Sequence, residues 1–109
     1  MVPRRAGSLI FLLIFLRCIA SGQSTVKDWV QDGILKAKLG DYKAALASFD
    51  RAIALDSSAS EPWFNRGIAK SESGDYKGAI KDFTRVIDLK PYYAEPYFNR
   101  GLARDYLKD

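Results

Sequence analysis

Histidine is absent from this chain of 109 residues, and cysteine occurs once. Without histidine, the Ser-His and Cys-His nucleophile pairs and every imidazole metal site are excluded, and one cysteine cannot supply a thiolate zinc cluster. No metal and no cofactor is therefore expected. A clear excess of one charge is also missing from most of the chain. The formal net charge is +4, but Arg4, Arg5 and Arg17 lie in an acid-free stretch from 1 to 24, so the remainder is close to neutral, with both signs interspersed. Nucleic-acid binding calls for a concentrated basic surface, so nucleic acid is not an expected partner. Long hydrophobic runs are scarce too. The run Leu9–Leu16 stops well short of the roughly 18 to 20 residues that cross a bilayer, and Arg17 interrupts its extension. What is left has room for one small domain.

Residues 1–24 read as an address. Arg4 and Arg5 form a basic start, Leu9–Leu16 an apolar centre, and Ala20, Ser21 and Gly22 a run of small residues, which is the order of a secretory signal. Cleavage is expected after Ala20 or Gly22, the latter leaving Gln23 first. The alternative is an uncleaved signal-anchor, with membrane attachment through residues 9–22 if the segment is retained. Charged Arg17 before Cys18 argues against lipid attachment, and little of a twin-arginine export motif surrounds Arg4-Arg5. Cleavage would leave a mature chain without cysteine, exported to a periplasm, a secretory compartment or the cell exterior.

From about residue 25 the chain repeats itself. An offset of 34 residues lays Gly40-Asp41-Tyr42-Lys43 on Gly74-Asp75-Tyr76-Lys77 and Glu61-Pro62 on Glu95-Pro96. Trp29, Trp63 and Tyr97 fall in register, as do Gly33, Gly67 and Gly101. Ala45, Phe49, Arg51, Ile53 and Leu55 meet Ala79, Phe83, Arg85, Ile87 and Leu89. So many coincidences at one offset mark an internal duplication, with units at about 26–59, 60–93 and a partial 94–109.

Each unit holds two helical patterns around a Gly-Asp-Tyr turn. In the second unit Ser60 is an expected N-cap, and Glu61 suits the first turn, where the helix dipole favours an acid. Pro62 is tolerated there because its missing N–H has no helical partner anyway. The helix is expected to run to about Ser73, with Gly74 in the left-handed conformation and Asp75 capping the next. Ala79, Ile80, Phe83, Val86 and Ile87 then recur at helical spacing until Pro91 ends the pattern. The glycines stand where the two helices of a unit must approach closely, with Ala45 and Ala79 opposite and Phe49 and Phe83 as filler between units. No such pair buries its apolar side alone, so the units are expected to stack.

These residues resemble the tetratricopeptide repeat family. Its pattern of Trp, Gly, Ala, Phe and Pro is matched by Trp63, Gly67, Ala79, Phe83 and Pro91, and all but the Pro by Trp29, Gly33, Ala45 and Phe49. The resemblance implies an all-α fold, a right-handed superhelical solenoid of two full repeats and the first helix of a third. The chain departs from the pattern at Asp32, Arg66 and Arg100, where the family has Leu, and at Lys36, Lys70 and Arg104, where it has an aromatic. Those changes are expected to make the faces more polar.

In this family the first helix of each unit lines a concave groove that holds a partner's peptide. By position this implies Val30 and Ile34 in the first unit, Phe64, Asn65, Ile68 and Glu72 in the second, and Phe98, Asn99, Leu102 and Asp105 in the third. An Asn amide both donates and accepts, so it can pair with peptide backbone of any sequence, and Phe64 and Phe98 would be apolar anchors. Alternatively, these Phe and Asn side chains only tie neighbouring units together. Arg66 and Arg100 read as solvated or paired between units. A dicarboxylate clamp of the kind that holds an acidic chaperone tail is mostly set aside. Asn65 matches its second-unit Asn, but Val30, Ile34, Glu95 and Asn99 occupy the other places and supply no cation.

The expected function is a non-enzymatic scaffold that docks a protein or peptide partner in the groove. The alternative is a self-associating element that stacks through exposed repeat ends such as Leu102, Tyr106 and Leu107, giving a homo-oligomer. Asp, Glu, Lys and Ser are available for acid-base chemistry, yet none forms a catalytic motif.

Overall fold

The computed structural model describes residues 24–108, so the signal and anchor readings of 1–24 fall almost wholly outside the described residues. Five helices follow one another: α1 (Val26–Lys38), α2 (Tyr42–Leu55), α3 (Ser60–Glu72), α4 (Tyr76–Leu89) and α5 (Glu95–Lys108). Among the described residues there is no strand. The helices pair in sequence as α1 with α2 and α3 with α4. In turn α3 packs on α2, and α5 packs on α4, which builds an all-α helical-repeat solenoid.

Local chemistry sets the ends of these helices. Thr25 and Asp28 close a capping box on α1, with Asp28 N–H donating to the Thr25 hydroxyl and Thr25 N–H donating to the Asp28 carboxylate. Asp41 and Asp75 cap α2 and α4 by accepting from Ala44 N–H and Gly78 N–H at 3.1 and 2.9 Å. Gly40 and Gly74 reverse the chain before those caps at φ of 79° and 90°, a region open to glycine at no steric cost. Helix α3 departs from expectation. Ala59 holds its N-cap position without a side-chain bond, and Ser60 is already helical, so its hydroxyl is no cap.

Small residues let the helices close up. A methyl added at Gly33 would sit 2.5 Å from Cε1 of Phe49, and one at Gly67 would sit 2.7 Å from Cε1 of Phe83, so each glycine receives the ring from its partner helix. Gly101 meets nothing within 4 Å, because among the described residues α5 has no following helix to supply a ring. Val30, Ala45, Phe49, Ala52 and Ala69 form one buried cluster, and Ala79, Phe83, Val86 and Ala103 continue the core toward α5.

Among the charged departures from the family pattern, Asp32, Arg66 and Lys70 are packed between helices, whereas Arg104 is exposed. Asp32 on α1 binds Lys36 Nζ at 2.6 Å and accepts from the Ser48 hydroxyl of α2. At the same repeat positions one unit on, the polarity is exchanged. Asp82 of α4 is buried and takes a two-pronged bond from Arg66 at 2.8 and 2.9 Å, with Lys70 Nζ at 3.1 Å. Arg66 also reaches Asp50 of the preceding unit at 2.8 Å, so it is paired both within and between units. These hydrogen bonds, above all those to Asp82, raise the guanidinium pKa above its ordinary value. Arg100 repeats part of this, donating to the Thr84 hydroxyl at 3.2 Å.

Candidate peptide groove

Helices α1, α3 and α5 line one side of the stack, and two clefts run between them. The cleft between α1 and α3, about 370 Å³, is lined by Ile34, Ala37, Lys38, Tyr42, Phe49, Asn65, Ile68, Ala69 and Glu72. The cleft between α3 and α5, about 380 Å³, is lined by Ile68, Ser71, Glu72, Tyr76, Phe83, Asn99, Leu102, Ala103 and Tyr106. Ile68 and Glu72 belong to both, so the two form one groove in two steps of the repeat.

The repeat dictates this arrangement. On α3 the spacing from Asn65 to Ile68 to Glu72 keeps one stripe of the helix toward the groove, and Asn99, Leu102 and Tyr106 do the same on α5. The floor is apolar, with Ile68 and Leu102 in front and the rings of Phe49 and Phe83 behind. Phe83, seated against Gly67, is almost wholly buried. The rim is polar. Asn65 Nδ2 donates to the Glu61 carbonyl of its own helix at 2.9 Å, which leaves its oxygen and second N–H for other partners.

The Glu72 carboxylate lies near the Tyr42 hydroxyl. Loss of solvent around the phenol, together with this carboxylate's charge and hydrogen bond, raises the Tyr42 pKa above 10.0. Tyr76 and Tyr106 stack across the second cleft with centroids 5.0 Å apart and planes at 13°.

Ile34, Asn65, Ile68, Glu72, Asn99 and Leu102 thus come together in the groove. Val30 does not. It is fully buried in the α1/α2 core, where no ligand reaches it, and this corrects its place among the candidates. Phe64 packs within its own unit, 5.9 Å from Phe83 and 5.5 Å from Tyr93 by ring centroid, and lines neither cleft. Phe98 is 68% exposed and, like Asp105, lies outside both clefts. Residue-by-residue reading missed Tyr42, Tyr76 and Tyr106. The first two open α2 and α4 directly after Gly-Asp, and that duplicated tripeptide, read only as a turn, was the available signal.

Among the described residues no cluster of His, Cys, Asp and Glu could hold a metal ion, and no helix is long and apolar enough to cross a membrane.

Comparison with known proteins agrees with this architecture. A model described as "Tetratricopeptide repeat" matches residues 32–58, and one described as "TPR repeat" matches 69–104. No curated protein matches the chain. Among solved structures, the second TPR of Spaghetti (RPAP3), bound to the HSP90 peptide SRMEEVD, is 28% identical. The match covers 81% of this chain and 82% of that one, with a TM-score of 0.75. The first TPR of Spaghetti, bound to the same peptide, is 21% identical over 78% of this chain and 68% of that one, again at a TM-score of 0.75. YrrB, a TPR protein with an unusual peptide-binding site, is 24% identical over 86% of this chain and 48% of that one, at a TM-score of 0.75. The last two likenesses speak for the fold alone. With both units matched by repeat models and the helical stack shared with solved repeat domains, the chain belongs to the tetratricopeptide repeat family, whose members typically serve as protein-interaction modules.

Proposed function

We propose that the chain is a non-enzymatic docking module that holds an extended segment of a partner protein along α1, α3 and α5. The observation that carries this reading is the two-step groove. Its apolar floor, formed by Ile34, Ile68 and Leu102, is bordered by the amides of Asn65 and Asn99. Apolar side chains of a peptide would fill the clefts, and the amides would pair with its backbone whatever its sequence. The peptide complex of the 28% identical Spaghetti domain supports this use of the fold.

The test is selection of binders from a random peptide display library on the full chain, followed by titration of the selected peptide. The Asn65→Ala, Asn99→Ala double variant is expected to bind about tenfold more weakly with its helical circular dichroism intact. Unchanged affinity would move the binding surface away from the groove.

A second reading rests on α5, where Phe98 is 68% and Tyr106 59% exposed and Leu107 is half-exposed. A face of this kind fits self-association, and mass that rises with concentration in light scattering would favour it. We also propose that docking takes place in an exported compartment, supported by the basic, apolar and small-residue order of residues 1–24. Mass spectrometry of the chain from its own source is expected to find Gln23 first, and an intact Met1 would overturn the cleavage.

A further inference from the structure

The charges bordering the groove are segregated. Helical spacing places Lys27 and Lys38 on the stripe of α1 that carries Ile34, Glu61 and Glu72 on the stripe of α3 that carries Ile68, and Glu95 on that of α5. All five are exposed. Among the described residues none of these three acids has a salt-bridge partner, whereas Asp32 and Asp82, packed between helices, and the exposed Asp50 are each paired with Lys36, Arg66 or Lys70. The inter-helix contacts thus take up their cations and leave the acids of α3 and α5 unmatched along the groove.

Glu72 is the single charged residue lining the cleft between α3 and α5. Beside it stand the stacked rings of Tyr76 and Tyr106. With Tyr42 close by, the Glu72 carboxylate can still accept several hydrogen bonds. A carboxylate next to flat aromatic faces suits a cationic side chain, which hydrogen-bonds to the one and lies over the other. An acidic side chain there would meet Glu72, and no Lys or Arg lines that cleft to offset the repulsion. Lys38 lines the other cleft.

Resting on the peptide-docking reading above, we infer that the ligand is a cationic peptide. An Arg or Lys side chain enters the cleft between α3 and α5 and pairs with Glu72. A neighbouring apolar side chain fills the cleft between α1 and α3, against Ile34 and Ile68. This is the opposite charge preference from the SRMEEVD peptide held by the Spaghetti domains.

Fluorescence anisotropy on the full chain tests the inference with three labelled peptides, SLRLRLS, SLELELS and SRMEEVD, and SLKLKLS distinguishes guanidinium from ammonium. The arginine peptide is expected to bind at least about tenfold tighter than its glutamate counterpart. Glu72→Gln is expected to remove most of that difference, and Asp88→Asn on α4, away from the groove, to leave it intact. Equal or tighter binding of the acidic peptides, or a preference that survives Glu72→Gln, overturns the inference. If both charge classes bind equally and lose affinity in the Asn65→Ala, Asn99→Ala variant, docking stands and the cationic preference falls. If no peptide binds, both fall.

Discussion

Asp82 is the residue on which most of the second repeat's polar packing converges. Its carboxylate is 2% exposed, while Arg66 and Lys70 beside it are 17% and 19% exposed, so removing the acid leaves two cations with little water to replace it. Asp82→Ala is expected to cost about 3–5 kcal/mol in urea unfolding, while replacing all three by apolar residues of similar volume is expected to come close to neutral. Gly67 and Gly101 offer a second contrast, since they are one repeat apart. Gly67→Ala forces a methyl onto the seated ring of Phe83 and is expected to destabilise by about 1–3 kcal/mol. Gly101→Ala has open space and is expected to stabilise α5 by about 0.5–1 kcal/mol through helix propensity. The close approach of Gly33 and Gly67 was legible from their repeat spacing. The ion cluster was not, because Arg66 and Asp82 are distant in sequence and only the pairing of α3 with α4 brings them together.

At the scale of the helix, Asp41 and Asp75 fix the starts of α2 and α4, and each Asp→Ala change is expected to lower stability by about 1 kcal/mol. Ser60→Ala is expected to change stability by less than about 0.5 kcal/mol in the same urea measurement, because its hydroxyl makes no capping bond. An oxygen-bearing residue before a helical pattern marks a start only to within a residue or so, and here the chain enters helix one position earlier.

The aromatic of each following unit adds a tie that propensity does not reveal. Trp63 Nε1 donates to the Ser57 carbonyl, and the Tyr97 hydroxyl donates to the Pro91 carbonyl, both at 2.9 Å and both at the same repeat positions. Tyr42 of the first unit lies near Glu72 of the second. Its ultraviolet titration is expected above pH 10 and to move down in Glu72→Gln. The pKa is raised in the folded state, so this contact contributes fully at neutral pH and is lost as pH rises through the raised value.

Over the whole molecule, the stack creates the groove. No single unit holds both clefts, since each is closed by helices of successive units and Ile68 and Glu72 serve in two of them. By itself the sequence determined the helices, their repeat, the reversals at Gly40 and Gly74 and the close helix approach at Gly33 and Gly67. Each of these depends on local dihedral preference or on side chains whose spacing is regular along the chain. Phe49 and Phe83, expected as filler between units, instead seat on those glycines within their own units. The tertiary structure alone decided that Val30 is core rather than groove, that Phe64 packs on Phe83 and Tyr93 of its own unit, that Tyr42 and Tyr76 face the clefts, and which acids lack a salt bridge among the described residues. Those outcomes depend on how far one helix rotates and tilts against the next, and a 34-residue period carries no record of that geometry.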